Sequence, residues 1–203
     1  MDKMTKRIIR VFILMVCLAA LVIAGYYFIS KQESDTSDPL KPGTEIEKLL
    51  NKDLETKYPE TPVEVVKLYW RFNKCLYNTD MKDKDFEALL KQLRIMYDEE
   101  FLAAEENSWE NMLKNFKKDK SVYESEKKTI SYYNVEPNSE VKYGELDGRE
   151  CATVITAAML KKGSEREMVY EKFICRKDSK NEWRILGWGI TKDKEDIATV
   201  TGG

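Results

Sequence analysis

The hydrophobic pattern of this 203-residue chain changes near residue 129, and that change limits the folds open to it. Before residue 129, apolar residues recur every three or four positions, as in Phe86, Leu89 and Leu93, which is the spacing of helices that bury one face. After it, segments rich in threonine, valine, isoleucine and aromatic residues alternate with short turns, as strands do. Because neither amphipathic helices nor a one-sided sheet can bury an apolar face alone, this order predicts an α+β domain with about three helices packed on a curved antiparallel sheet.

Three helices are predicted in the first part. Thr61 is followed by a proline at the first helical position and by a glutamate three positions later, which is typical of a capped N-terminus. This helix should end near Asn78. Asp83 or Asp85 begins the second helix, and Ser108 caps the third.

Five strands are predicted in the second part. They cover residues 129–135, 141–146, 149–160, 167–176 and 183–190. Because short turns join them, the strands should form an antiparallel meander, with Asp147-Gly148 as one hairpin turn. Residues 192–203 are charged and then small, and they are predicted to be a flexible tail.

Three of the four cysteines lie in this domain: Cys75, Cys151 and Cys175. A disulfide between Cys151 and Cys175 depends on the turn near residue 163. A three-residue loop pairs 161 with 165 and places 151 opposite 175, whereas a two-residue loop pairs 162 with 165 and places 151 opposite 176. Buried free thiols are the alternative.

Residues 11–29 carry no charge and follow four basic residues. Nineteen helical residues at about 1.5 Å each reach about 28 Å, roughly the hydrocarbon core of a bilayer. Since basic flanks stay in the cytoplasm, residues 1–30 are predicted to be a cytoplasmic basic tip and a single-pass transmembrane anchor in the cell membrane, with the later residues extracytoplasmic. A cleaved signal peptide is the alternative. Lipidation of Cys17 is disfavoured because Val16, not a small residue, precedes it.

Residues 31–60 are polar and include serine, aspartate, proline and glycine, which is typical of a flexible stalk. The stretch that begins at Thr44 has capping-box spacing ahead of several leucines, so the stalk can contain a short helix. The folded domain is placed at residues 61–191.

Composition excludes several kinds of site. The chain contains no histidine, which rules out Ser-His-Asp and Cys-His catalysis and any His-ligated metal. Of 34 basic and 36 acidic residues, the first 30 positions hold four and one, which leaves residues 31–203 with a formal charge of −5. Such a domain is a poor match for nucleic acid. No catalytic, cofactor-binding or metal-ligating residue is assigned, and no cofactor is expected.

Two motifs accompany the order of elements. Asp-Glu-Glu-Phe-Leu at residues 98–102 ends the second helix, and Asn-Glu-Trp-Arg-Ile-Leu at residues 181–186 closes the last hairpin. Together with helices followed by a meander, they resemble the NTF2-like superfamily of cone-shaped α+β domains, over roughly residues 61–191. The resemblance implies a bacterial envelope protein, because membrane-anchored versions occur there.

Enzymes of that superfamily use an acid or a His–Asp pair inside the cone, often with a tyrosine. In this chain, Glu171 could point into the cone, in which case Lys172 points outward; in the opposite register Glu171 lies on a solvated strand face. Tyr132, Tyr133 and Tyr170 could line a pocket, although aromatic strand residues usually belong to a core.

Two functions follow as expectations. The first is a non-catalytic, membrane-tethered extracytoplasmic domain that binds protein partners or a second copy of itself, for example in envelope assembly. The alternative is a domain that binds, or weakly acts on, a small molecule with an acidic residue in the cone. A pocket of several hundred Å³ that holds a buried glutamate would favour the alternative.

Overall fold

Six α-helices and five strands make up residues 44–201, the part of the chain that the computed structural model describes. The helices are α1 (Thr44–Leu50), α2 (Pro62–Asn78), α3 (Asp83–Ile95), α4 (Glu99–Ala103), α5 (Trp109–Ser125) and α6 (Lys194–Thr201). The strands are β1 (Lys128–Val135), β2 (Lys142–Leu146), β3 (Arg149–Lys162), β4 (Glu165–Lys177) and β5 (Trp183–Ile190). A short 3₁₀ turn covers Glu105–Asn107.

The three predicted helices are present, and their caps explain where they begin. The Thr61 side chain accepts a hydrogen bond from the Glu64 N–H, and the Glu64 carboxylate accepts one from the Thr61 N–H, so α2 has a complete capping box. Helix α3 begins at Asp83, one of the two starting residues, Asp83 and Asp85, that the sequence allowed. The Ser108 hydroxyl accepts from the Asn111 N–H and caps α5.

One antiparallel sheet in the order β1-β3-β4-β5 forms the other layer. Strand β3 has 14 residues, and its two halves pair with different strands: residues 149–153 with β2 and residues 156–162 with β1. From β2 to β5, successive strands pair and are joined by short turns, so the predicted meander is confirmed for these four strands. Strand β1 departs from it, because it pairs with β3 and not with β2.

The turn between β3 and β4 decides whether Cys151 and Cys175 can form a disulfide. Gly163 and Ser164 form a two-residue loop that pairs Lys162 with Glu165, and this register places Cys151 opposite Arg176. Cys175 lies opposite Ala152 instead. Because a shift of one residue sends side chains to opposite faces, the two thiols are directed apart, and both are free and buried. The disulfide is therefore wrong, and buried free thiols are correct.

The core lies between the helices and one face of the sheet. Helix α2 packs on this inner face and α3 packs on α2, and the fully buried side chains of this core include Phe72, Leu89, Val154 and Phe173. Helix α1 packs against α3 through Leu49, which is also fully buried. The folded part therefore begins before residue 61, where the sequence placed its boundary.

Helix α6 covers part of the outer face of the sheet. Val200 packs against Ile155 and Ala157 of β3, and Asp196 is buried where it forms an ion pair with Lys172 of β4. The sequence predicted a flexible tail at residues 192–203, and this is corrected for residues 194–201. The helix was missed because its attachment is largely ionic and polar, and a hydrophobic pattern does not report such contacts.

The predicted fold class also contained an N-terminal transmembrane helix, and this part is corrected. Residues 11–29, for which the helix was predicted, lie outside the described residues. Within residues 44–201, no helix combines the length and the apolar character needed to cross a bilayer. The longest, α2 and α5, have 17 residues each and carry charged side chains, whereas a span needs about 20 apolar residues. Within residues 44–201 the fold class shown is α+β without a spanning helix, and the membrane, single-pass and signal-anchor descriptions are not supported.

A buried ion pair joins the helical layer to the sheet. The Arg176 guanidinium donates to both carboxylate oxygens of Asp98, at 3.1 Å from Nε and 2.6 Å from Nη2, and both side chains are fully buried. Burial opposes ionisation of Asp98, but the hydrogen bonds from Arg176 and the Glu100 N–H hold its pKa below the usual value. The same carboxylate caps α4, so one side chain fixes both a helix and a strand.

We expect the substitution Arg176→Met to lower the free energy of unfolding by about 3–5 kcal/mol, because it leaves the buried Asp98 carboxylate without its partner. The matched control is Arg149→Met, which removes an arginine that pairs with the exposed Glu99 and should cost about 1 kcal/mol or less. Chemical denaturation of the full-length chain measures both. Equal losses for the two variants would show that the pair does not have this role.

Candidate functional site

Aromatic rings gather on the inner side of the sheet around Trp188 of β5. The ring centroid of Trp188 lies 5.3 Å from that of Tyr69, 5.7 Å from Tyr97, 5.4 Å from Phe101 and 6.0 Å from Phe173. These residues come from α2, the segment after α3, α4 and β4. Rings at such separations stabilise one another and form a stiff wall.

A cavity of about 420 Å³ opens beside this wall, and we call it the Trp188 cavity. It is lined by five apolar or aromatic side chains, three polar ones and one glycine: Tyr97, Phe101, Met112, Phe116, Trp188, Glu106, Asn107, Asn115 and Gly187. The apolar members form most of the wall. Glu106 and Asn115 are exposed, which places them at its mouth.

Hydrogen bonds hold the segments around the cavity in place. The Asp98 N–H donates to the Ile185 carbonyl, and the Ile185 N–H donates to the Met96 carbonyl. Residues 96–98 therefore lie along the edge of β5, with Tyr97 bridged to Ile185. Arg94 donates to the Asn107 carbonyl at 2.7 Å, and the Asn107 amide donates to the Phe101 carbonyl at 2.8 Å. The 3₁₀ turn that contains Glu106 is therefore tied to both α3 and α4.

Tyr97 lines the cavity, and its hydroxyl group is buried. Its oxygen is buried and has no hydrogen-bond partner within residues 44–201. Burial raises the pKa of Tyr97 well above its ordinary value, so the hydroxyl stays protonated at neutral pH. A buried hydroxyl without a partner lowers stability.

Glu171 lies on the inner face of the sheet, as one of the two registers predicted. It pairs with Thr156 of β3, and it precedes the fully buried Phe173 by two positions on the same face. Lys172 points to the outer face, where it meets Asp196 of α6. The solvated alternative is therefore wrong.

The Glu171 carboxyl is unusual for an acid in a folded domain. Its Oε2 atom is buried and has no hydrogen-bond partner among the described residues, and burial raises the pKa of Glu171 to about 7. Burial also raises the pKa values of Tyr69 and Tyr123, and the nearby Glu171 carboxylate raises them further. Glu171 is not among the residues that line the Trp188 cavity.

The tyrosines that the sequence offered as pocket residues lie elsewhere. Tyr133 is buried and stacks on Trp70, with ring centroids 5.8 Å apart. Tyr132 is exposed, and Tyr170 packs partly against the cluster under α6 on the outer face. Sequence reasoning missed Trp188 and Tyr97 as site residues, because each follows an ordinary core pattern of its own element and only the pairing of residues 96–98 with β5 brings them together.

We expect the substitution Glu171→Gln to stabilise the protein at pH 8 and to change little at pH 4. The unfolded carboxyl titrates near its ordinary pKa of 4.5 and the folded one near 7, so the native state binds the extra proton and stability falls as pH rises through this window. At about 1.4 kcal/mol per pKa unit, the gain at pH 8 should be about 1–3 kcal/mol.

The control for this titration is Glu167→Gln, which changes an exposed glutamate on the same strand. Denaturation of each variant and of the unaltered chain at both pH values gives the difference. A stabilisation by Glu171→Gln of the same size at pH 4 and pH 8 would contradict the assignment of the titrating group.

A family model described as a domain of unknown function matches residues 1–188 of the chain, which includes every element up to most of β5. No curated protein matches. Within residues 44–201, no group of three cysteine, aspartate or glutamate side chains is arranged to hold a metal ion.

Proposed function

The chain belongs to the family of unknown function DUF6715, and on that premise we propose that its described domain binds a small organic molecule in the Trp188 cavity. Of the two functions that the sequence left open, this is the one that the geometry favours. The observation that carries it is a cavity of about 420 Å³ with an aromatic wall and a few polar residues in its lining.

The size and lining of the cavity support binding. Small-molecule sites commonly have volumes of about 300–1,000 Å³ and apolar or aromatic walls with a few polar groups that orient the ligand. The Trp188 cavity has this composition, with Tyr97 in the wall and Asn107 and Glu106 toward solvent. Since residues 96–98 are held by backbone hydrogen bonds and the 3₁₀ turn by the Arg94 side chain, the site is largely formed before a ligand arrives.

Chemical conversion of the ligand is not part of this proposal. The acid with the most altered titration, Glu171, does not line the cavity, so it would not contact a ligand bound there. Its buried carboxyl lies near Tyr69, whose ring borders Trp188. Glu171 is therefore placed to influence the aromatic residues beside the cavity rather than to contact a bound ligand.

The proposed architecture for this function is the NTF2-like cone. The order of helices followed by a five-strand antiparallel sheet, with the helices on the inner face, is consistent with it. The extracytoplasmic location rests on residues 1–30, outside the described part, and stays a prediction of the sequence.

We expect the substitution Asn115→Phe to block binding, because it adds a ring at the mouth of the cavity from an exposed position on α5. Phenylalanine and asparagine have similar helix propensities, so the fold should be retained. The matched control is Lys118→Phe, which adds the same ring on the same helix at an exposed residue that does not line the cavity.

Ligand-observed NMR with a set of aromatic fragments and the full-length chain measures this effect. Binding that is lost in Asn115→Phe and kept in Lys118→Phe supports the Trp188 cavity. Binding that survives in both variants, or a set of fragments that shows none, would contradict the proposal.

A second function, self-association, is favoured by a different observation. Strand β5 is the last strand of the sheet order, and beyond the bridge at Ile185 its apolar residues remain accessible, with Ile190 72% exposed. Ile174 on β4 is 41% exposed and shares a second cavity of about 410 Å³ with Ile190 and Gly189. An exposed apolar strand edge is a template for pairing with another chain.

We expect the full-length chain to self-associate and Ile190→Asp to weaken that association at least tenfold, because it places a charge in the contact. The control is Val122→Asp, a change at an exposed valine on α5, a helix that contacts β1 at the opposite edge of the sheet. Sedimentation over a range of concentrations measures the equilibrium. A chain that stays monomeric throughout would exclude this second function.

A further inference from the structure

The one charged side chain in the lining of the Trp188 cavity is acidic. Of its nine lining residues, Glu106 is the one that carries a charge, and lysine and arginine are absent from this lining set. Glu106 is exposed and lies in the 3₁₀ turn at the mouth, whereas the aromatic side chains and Met112 form the interior. The cavity is thus apolar inside and acidic at its entrance.

Arg94 lies beside this lining, and its position limits where a positive charge can bind. Its Nη1 atom lies 2.7 Å from the Asn107 carbonyl and 3.7 Å from the sulfur of Met112, and both residues line the cavity. A second positive charge placed deep beside Met112 would be repelled by Arg94. A positive charge at the mouth, beside Glu106, would be attracted.

We propose that the molecule bound in the Trp188 cavity is an amphipathic organic cation, with an apolar or aromatic body against Trp188 and Tyr97 and a protonated amine at the Glu106 carboxylate. This inference rests on the binding function proposed above and adds the class of ligand. The body of the molecule is desolvated among rings, while the ammonium group keeps part of its hydration at the exposed mouth, so the charge is not buried.

The same arrangement disfavours anions. A carboxylate or phosphate at the mouth would face Glu106 without a lysine or arginine in the lining to oppose the repulsion. A neutral ligand of the same shape would gain the apolar contacts but not the attraction to Glu106. The order of affinity should therefore be cation, then neutral molecule, then anion.

Three probes with one apolar body test this order on the full-length chain: 3-phenylpropylamine, 3-phenylpropanol and 3-phenylpropanoate. Their dissociation constants are measured by ligand-observed NMR at low ionic strength. An ion pair at an exposed carboxylate should make the amine bind roughly two- to fivefold more tightly than the alcohol, and the propanoate should bind most weakly. The advantage of the amine should shrink at high salt.

The variant Glu106→Gln should remove the difference in affinity between the amine and the alcohol. The control is Glu110→Gln, which removes an exposed carboxylate in the first turn of α5 that does not line the cavity and should keep the order of the probes. Both positions are exposed, so neither variant should disturb folding.

The outcomes separate the class of ligand from the binding function. Equal binding of the three probes, or an amine preference that persists in Glu106→Gln, overturns the proposal that the ligand is a cation held by Glu106. The Trp188 cavity then remains a binding site. Binding of none of the probes at millimolar concentration overturns both proposals. An amine preference that Glu106→Gln removes and Glu110→Gln keeps supports both.

Discussion

The fully buried pair between Asp98 and Arg176 is the interaction on which the rest of the structure depends. Asp98 follows α3, caps α4 and bonds through its backbone to β5, while Arg176 belongs to β4. The pair therefore joins the segment between two helices to the sheet at one point. Two charges withdrawn from water are tolerated there because the geometry is bidentate and the carboxylate also accepts from the Glu100 N–H.

The position of the candidate site follows from that attachment. Because residues 96–98 are held against β5, Tyr97 lies next to Trp188. The chain then continues through α4 and the 3₁₀ turn before it reaches α5. Short helical pieces cannot fill the space beside the aromatic wall as a long helix would. The Trp188 cavity is the volume that remains, and its polar and acidic residues come from the crossing segment and α5.

Much of the fold could be predicted from the chain, because local signals and burial agree in it. The capping box at Thr61 and the strand segments after residue 129 were located within a few positions of the observed elements. Helix α6 was not predicted, since ionic contacts such as that of Asp196 with Lys172 leave no hydrophobic period. The register of β3 and β4 stayed open because both loop lengths satisfy the local pattern, and one residue decides which side chains face each other.

By itself the sequence determined the α+β class, the order of the elements and the absence of histidine chemistry, because periodicity and composition are properties of neighbouring residues. It also offered Glu171 as an inward acid, but only together with an outward alternative. The tertiary structure decided between these, and it alone created the Trp188 cavity, since Tyr97, Glu106 and Trp188 are brought together by pairing across long separations in the chain. Such contacts depend on how whole elements pack, and no local pattern encodes them.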